Sequence, residues 1–191
     1  MRIIALAFVL LITTDTRADC PVGGRGGDEI LSAMKNRTDV PRKTTSRTIG
    51  ELIKRRDIVP HINRKRWREV KIANEGTGVV IVGSFLGVKR EGPESANCGS
   101  VDDRDYHLWL ADFVNDAKSA SMVVEITPRL RKMTWTINAL RRLVRRGDRV
   151  RITGWLLYDQ EHEIDQSRGT LWEIHPVTKI EIYVGHEWVE L

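Results

Sequence analysis

The sequence predicts a mainly β protein with helices, built around a five-stranded barrel of order β-β-β-α-β-β that follows a short helical N-terminal extension. From residue 67 onward, apolar and polar residues alternate, which is typical of strands with one buried face. Within that region only 133–147 has apolar residues at helical spacing. Before residue 67 the chain is rich in glycine, charge and turn formers, so its 191 residues suit one domain with an extension.

The strands of the barrel are predicted from this alternation and from the residues that interrupt it. Pro128 ends the third strand, and Pro176 lies inside the fifth, where it could break the strand. A final edge strand is predicted within 185–191. The predicted barrel strands are 67–92 (one long strand kinked at its glycines, or a strand pair), 105–113, 119–128, 148–159 and 170–184.

Three helices are predicted from capping signals and apolar stripes. A short helix is expected at Asp28–Lys35, inside an otherwise irregular arm. Thr48 and Glu51 have the spacing of a capping box at the start of a second helix. The third helix has Gly147 at its C-terminal end, a position that favours glycine. Its predicted apolar stripe consists of Trp135, Ala139, Leu140, Leu143 and Val144.

The first 18 residues have the pattern of an export signal. Arg2 supplies the positive start, Ile3–Ile12 is an unbroken apolar run, and Thr16 and Ala18 suit cleavage after Ala18. The run is too short to span a bilayer, which needs about 20 residues, although a short uncleaved anchor is an alternative. We therefore expect a periplasmic or extracellular protein with no transmembrane segment after cleavage. The expected divisions are 1–18 (signal peptide), 19–66 (N-terminal arm with a short helix) and 67–191 (barrel domain).

The sequence contains two cysteines, Cys20 and Cys98, and both follow the predicted cleavage site. Export would place them in a compartment where disulfides persist. The natural pairing is therefore a Cys20–Cys98 bridge that joins the N-terminal arm to a loop, with two free thiols as the alternative.

The order of the elements resembles that of OB-fold proteins, which are small five-stranded Greek-key barrels. The segment "GDRVRITG", which enters the fourth strand, is also similar to OB-fold sequences. The resemblance covers about residues 67–183. It implies an architecture and no particular activity, because unrelated OB domains share the same order and pattern.

A narrower resemblance involves "LLYDQEH" and "WEIHPVTKIEI" near the C-terminus, His107 in "DYHLWL" and Glu125 in "MVVEITP". These segments resemble a group of uncharacterised exported bacterial proteins with a histidine in strand two and an acidic-x-His-Pro-Val segment in the last strand. The present sequence departs from the group after His162, where "EIDQSRGT" replaces a glycine-rich loop. The resemblance implies the fold and export, but no reaction.

Histidines and glutamates in the predicted barrel form a candidate metal site. In strand five Trp172 and Ile174 should face the core, so Glu173 and His175 should face outward. Imidazoles combined with carboxylates suit Zn²⁺ or another divalent transition metal, and they could also act as general acid and base. The alternative is a purely structural role in hydrogen bonding and strand register. The candidate ligands are His107, Glu125, His162, Glu173 and His175.

The formal net charge of +5 and a sequence pI of about 9.4 weakly favour an anionic partner, because 26 acidic residues are interleaved with 31 basic ones. OB domains often stack bases on aromatic side chains beside a positive groove. Core burial is the alternative for the tryptophans, and export would remove most nucleic acid from reach. The candidate binding residues are Tyr106, Trp109, Trp155, Arg141 and Arg145.

Two hypotheses about function follow, and they leave open whether the protein is an enzyme. The first is an exported binding or interaction module for an oligonucleotide, a glycan or an envelope component. The second is a metal-assisted hydrolase, similar in chemistry to a nuclease or phosphodiesterase, that uses the His/Glu set. The sequence has neither a phosphate-binding glycine loop before a helix nor a GxSxG nucleophile motif.

Overall fold

The structure is a computed structural model that describes residues 20–54, 74–159, 161–162 and 166–191. The predicted signal peptide and the start of the predicted first barrel strand lie outside these residues. Among the described residues no helix is both long and apolar enough to cross a membrane.

The described chain contains seven strands and three α-helices. Two short 3₁₀ turns lie at Ser95–Asn97 and Lys118–Ala120. The elements are α1 (Glu29–Lys35), β1 (Thr45–Arg47), α2 (Ile49–Lys54), β2 (Gly78–Arg90), β3 (Tyr106–Ala111), β4 (Met122–Ile126), α3 (Ile137–Arg146), β5 (Arg149–Tyr158), β6 (Trp172–Val184) and β7 (Glu187–Glu190).

Five of the strands close a barrel. Neighbouring strands pair in the order β2-β3-β4-β6-β5, and β5 pairs with β2 to complete the circuit. The β4–β6 pair is parallel, whereas the other four pairs are antiparallel. With α3 between β4 and β5, this is the circuit of an OB-type barrel, and it confirms the predicted fold class.

The barrel interior is filled by alternate residues of its strands. Leu108, Val124, Ile152 and Ile174 have no exposed surface, and the aromatic ring of Trp172 is enclosed with them. The prediction that Trp172 and Ile174 face the core is therefore confirmed. Because successive strand residues point to opposite faces, the residues between them lie on the outer wall of the barrel.

The helix ends agree with the predicted capping signals. Asp28 caps α1 by accepting from Ile30 N and Leu31 N. Thr48 and Glu51 form the reciprocal capping box, with Thr48 N donating to Glu51 Oε2 at 2.9 Å. Gly147 ends α3 at φ 66°, a left-handed conformation that favours glycine.

Two details of the prediction were wrong, and the possible break of the fifth strand does not occur. The arm contains a strand, β1, that pairs in parallel with β2, because three residues are too few to show a sequence period. Trp135 lies before α3 rather than on its stripe, and its Nε1 donates to the Leu191 carbonyl. The fifth barrel strand, β6, runs unbroken through Pro176.

A second layer covers part of the outer wall. We call residues 20–36, which include α1, together with residues 91–105 the cover. Leu31 and Met34 of α1 pack against Leu157, which points outward from β5. The Cys20–Cys98 disulfide joins the two parts of the cover, as predicted. Asn36 adds a second link, since its side-chain amide donates to the Ala96 carbonyl.

Candidate metal centre

Three neighbouring strands present polar residues on the outer wall of the barrel. His107 on β3 is the register partner of Glu125 on β4. On β6, Glu173 is the register partner of Val123, and His175 lies two residues further along the same face. The alternation that buries Leu108, Val124 and Ile174 in the core therefore places these four polar side chains together outside it.

These outward-facing side chains are nevertheless shielded from solvent. Their residues are 3% (His107), 5% (Glu125), 0% (Glu173) and 1% (His175) exposed. Burying unpaired charge is costly, so each group needs a partner of opposite charge or a hydrogen bond. The partners of His107, Glu173 and His175 are other charged side chains of the same site.

The first group consists of Glu91, His107 and Glu125. Nδ1 of His107 lies 2.8 Å from Glu91 Oε1 and 2.9 Å from Glu125 Oε1. One imidazole nitrogen therefore faces two carboxylate oxygens. Lys89 also contacts Glu91, with Nζ 2.8 Å from the same Oε1.

The second group surrounds His175. Its Nε2 lies 3.1 Å from Asp105 Oδ2, and its Nδ1 lies 3.2 Å from Glu125 Oε2. Asp105 is itself held in place, because the side-chain amide of Asn97 donates to its Oδ1 at 2.9 Å. The second group is connected to Glu173, whose Oε2 is 3.9 Å from His175 Nδ1.

The third group consists of Asp159, His162 and Glu173. His162 Nδ1 lies 2.7 Å from Asp159 Oδ2, and the His162 side chain is half-exposed. Glu173 is held by Arg168, whose Nη1 donates to Glu173 Oε1 at 2.6 Å. In each of the three groups the possible ligand atoms lie within 4.8 Å of one another.

The charges in this site shift several pKa values. Burial by itself lowers the pKa of His175, but the carboxylates of Asp105, Glu173 and Glu125 outweigh burial and raise it to about 10. Burial likewise lowers the pKa of His107, whereas Glu125 and Glu91 raise it above its usual value. The carboxylates thus stabilise a positive charge among them.

Several polar atoms in the site have no hydrogen-bond partner among the described residues. They include His107 Nε2, Glu173 Oε2 and both ring nitrogens of His175, all of which are buried. The contacts of His175 with Asp105 and Glu125 are short but lack hydrogen-bond geometry. Buried polar atoms without partners need an explanation, and a bound ion or water would supply one.

A cavity of about 300 Å³ lies between α1 and the 91–105 segment, next to the site. Its lining includes Lys35, Glu91, Glu94 and His162. Nζ of Lys35 lies 3.9 Å from Glu94 Oε2, so the two groups attract without a direct hydrogen bond. Burial and the neighbouring Glu125 carboxylate raise the pKa of Glu94 to about 7.

The structure brings four of the five predicted ligand residues to one wall of the barrel, and the fifth, His162, lies in the loop after β5, in a group with Glu173. Whether they bind a metal stays a prediction. The sequence analysis missed Glu91 and Asp105, which flank the segment between β2 and β3. Asp105 precedes His107 by two residues and so continues the same face, a signal that could have identified it. Glu91 follows β2 and is recognisable only once β2 and β3 are paired.

The five residues predicted to bind an anionic ligand do not form one cluster comparable to the His/Glu site. Tyr106 packs towards the core beneath Arg131, whereas Trp109 points outward beneath Lys118. Trp155 lies beneath Arg37, and its Nε1 donates to the Asp39 carbonyl. Arg141 and Arg145 are exposed on α3. Binding through these five residues remains a prediction.

No protein-family description and no curated protein matches the sequence. A crystal structure of an aspartyl-tRNA synthetase from Leishmania major Friedlin is 12% identical, with a TM-score of 0.38 over 76% of this chain and 22% of that one. The crystal structure of yeast Stn1 and Ten1 is 18% identical, with a TM-score of 0.38 over 81% and 71%. Similarity at this level assigns neither a fold nor a function to this chain, and the OB-type barrel is established by the pairing of its strands.

Proposed function

We propose that this is an exported protein that binds a divalent transition-metal ion at Glu91, His107 and Glu125. The observation that carries the proposal is the contact of His107 Nδ1 with two carboxylate oxygens, at 2.8 and 2.9 Å. A ring nitrogen carries at most one proton, so it can donate to one of them only. A metal ion can bind all three atoms at once. Tetrahedral ligands about 2.0–2.2 Å from Zn²⁺ lie about 3.3–3.6 Å apart, so binding would move the three atoms apart by about 0.5 Å.

The electrostatics of the site support the same conclusion. The carboxylates that raise the pKa of His107 and His175 would stabilise a metal cation in the same place, in competition with protons. The ligand set of imidazole and carboxylate suits zinc and its neighbours in the first transition row. The location also agrees with the fold, because OB domains bind ligands on the outer face of their second and third barrel strands, which are β3 and β4 here.

Export is the second part of the proposal. It is supported by the signal-like pattern of residues 1–18 and by the Cys20–Cys98 disulfide, which suits an oxidising compartment. The resemblance to uncharacterised exported bacterial proteins supports it as well. Fusing residues 1–18 to a reporter enzyme that is active only outside the cytoplasm would test it, with Ile3–Ile12 deleted as the control.

Metal binding is tested by titrating the purified, chelator-treated protein with Zn²⁺ in a calorimeter. The expected result is stoichiometric binding that both His107→Ala and Glu91→Gln abolish at the first group. The matched control is His186→Asn, which changes an exposed histidine outside the site. Absence of Zn²⁺, Mn²⁺ and Co²⁺ binding by the folded protein would refute the proposal.

A second candidate function, metal-assisted hydrolysis, is favoured by the cavity, because both Glu91 and His162 line it. A bound metal would supply a water of lowered pKa as the nucleophile. Protein loaded with Zn²⁺ or Mn²⁺ should then hydrolyse bis(p-nitrophenyl) phosphate, and turnover should follow metal content. Equal turnover by His107→Ala would assign the hydrolysis to a contaminant and remove this function while leaving metal binding intact.

A further inference from the structure

We infer that the site takes two divalent transition-metal ions, with the carboxylate of Glu125 bridging them. The inference deepens the proposed function and rests on it, since the first ion is the one assigned to Glu91, His107 and Glu125. It adds a second ion at His175 and gives Glu173 and Asp105 separate roles.

The two oxygens of Glu125 face two different histidines. Oε1 lies 2.9 Å from His107 Nδ1, and Oε2 lies 3.2 Å from His175 Nδ1. A carboxylate that offers each oxygen to a different ion holds the ions about 3.5–4 Å apart, as in two-metal centres. Because β4 lies between β3 and β6 in the barrel, Glu125 is the strand residue placed to reach both histidines.

His175 is oriented as a metal ligand. Its Nε2 lies 3.1 Å from Asp105, and Asn97 holds Asp105 from the other side. At this distance the charge of the Asp105 carboxylate favours the proton on Nε2 even without hydrogen-bond geometry, and that leaves the other ring nitrogen for a metal. Asp105 is therefore a positioning residue, and Nδ1 of His175 is the ligand atom.

Glu173 provides the remaining ligand for the second ion. Its Oε1 is occupied by Arg168 at 2.6 Å, whereas its Oε2 is buried without a hydrogen-bond partner among the described residues. That oxygen lies 3.9 Å from His175 Nδ1, on the side of the ring that faces Glu125. The second ion would join Glu125 Oε2, His175 Nδ1 and Glu173 Oε2.

The test is a stoichiometry measurement on the folded, disulfide-intact protein, using Mn²⁺ and Co²⁺ with calorimetry and elemental analysis. The unmodified protein should bind two ions per chain, and Glu91→Gln and Glu173→Gln should each bind one. These variants keep side-chain size, so circular dichroism should show an unchanged fold. With Mn²⁺ the paramagnetic resonance spectrum of the unmodified protein should show a coupled pair, and Glu125→Gln should remove the coupling.

The outcomes separate this inference from the proposed function. One ion per chain, lost in Glu91→Gln and retained in Glu173→Gln, would overturn the second site while the proposed function stands. Two ions without magnetic coupling, both retained in Glu125→Gln, would overturn the bridge. No bound ion at all would overturn both.

Discussion

Glu125 is the residue on which most of the site depends, because it contacts both buried histidines from the middle of three strands. Its burial opposes ionisation, but His107 and His175 outweigh burial and lower its pKa to about 2. It therefore remains a carboxylate at neutral pH. Around it, Asp105 and Arg168 hold His175 and Glu173 without being ligands themselves.

The role of Asp105 can be tested separately from that of the ligands. Asp105→Asn keeps the shape of the side chain but weakens the hold on His175 Nε2. We expect the affinity for the second ion to fall about 10- to 100-fold, as is usual for partners of ligating histidines, with the number of sites unchanged. Calorimetric titration with Co²⁺ measures this. An unchanged affinity would show that Asp105 does not position His175.

A pH effect is expected from an ion pair away from the site. Nη2 and Nε of Arg151 donate to the Glu181 carboxylate at 2.6 and 2.7 Å. Together Arg151 and Lys179 outweigh the effect of burial and lower the pKa of Glu181 to about 2. A folded pKa below the unfolded value of about 4.5 stabilises the fold above that pH, and the contribution is lost as the pH falls from about 4.5 to about 2.

Glu181→Gln should therefore lower the free energy of unfolding by about 1–2 kcal/mol at pH 7 and by progressively less towards pH 2. Urea denaturation at a series of pH values measures the difference. Glu187→Gln, at an exposed position on β7, is the matched control. A difference that grows as the pH falls would contradict a lowered pKa of Glu181 in the folded protein.

At the level of whole elements, Gly154 lets strands β5 and β6 approach each other closely. Gly154 lies where the β5–β6 register shifts. A Cβ at this position would lie 2.4 Å from Ile174 Cγ2 and 2.5 Å from the Pro176 carbonyl oxygen. Backbone atoms cannot move aside cheaply, so only glycine fits here.

Gly154→Ala should destabilise the protein by about 1–3 kcal/mol through this overpacking. Gly50→Ala is the matched control, because a Cβ at Gly50 in α2 meets no atom of the described residues beyond its own helix within 4 Å. Alanine there should leave stability unchanged or raise it by up to about 1 kcal/mol, as helix propensity predicts. Equal effects of the two substitutions in thermal denaturation would show that the contact at Gly154 is relieved elsewhere.

In the molecule as a whole, the cover packs over part of the outer wall of the barrel, so that this part is no longer at the surface. The main core cluster contains no residue of the cover, whereas His107 and His175 contact Glu91 and Asp105 at the two ends of the 91–105 segment. The disulfide joins residues 78 positions apart and so ties the two parts of the cover together. Glu91 and Asp105 both belong to the segment that it holds.

Removing the disulfide should thus affect the site as well as stability. In the variant with Cys20→Ser and Cys98→Ser together, we expect the free energy of unfolding to fall by about 2–4 kcal/mol. We also expect bound metal to pass to a chelator several-fold faster, because the cover opens more often. Stopped-flow transfer of Zn²⁺ to a chromogenic chelator measures the rate. An unchanged rate would show that the cover does not limit access.

The sequence by itself determined what depends on neighbours along the chain. Period-two alternation placed the barrel strands and assigned Trp172 to the core, and capping residues such as Thr48 and Gly147 marked helix ends, because these signals act within a few residues. The two cysteines allowed only one intramolecular pairing. The strand order then implied a barrel on which His107, Glu125 and His175 could share a wall.

Only the tertiary structure decided that this wall is buried, that the two oxygens of Glu125 divide between two histidines, and that Glu91 and Asp105 join the site. Each of these facts depends on distances between residues far apart in sequence. The fold of the barrel and the packing of α1 over it set those distances, and no local pattern encodes them. The strand β1 was missed for a related reason, since only its pairing with β2 makes three residues a strand.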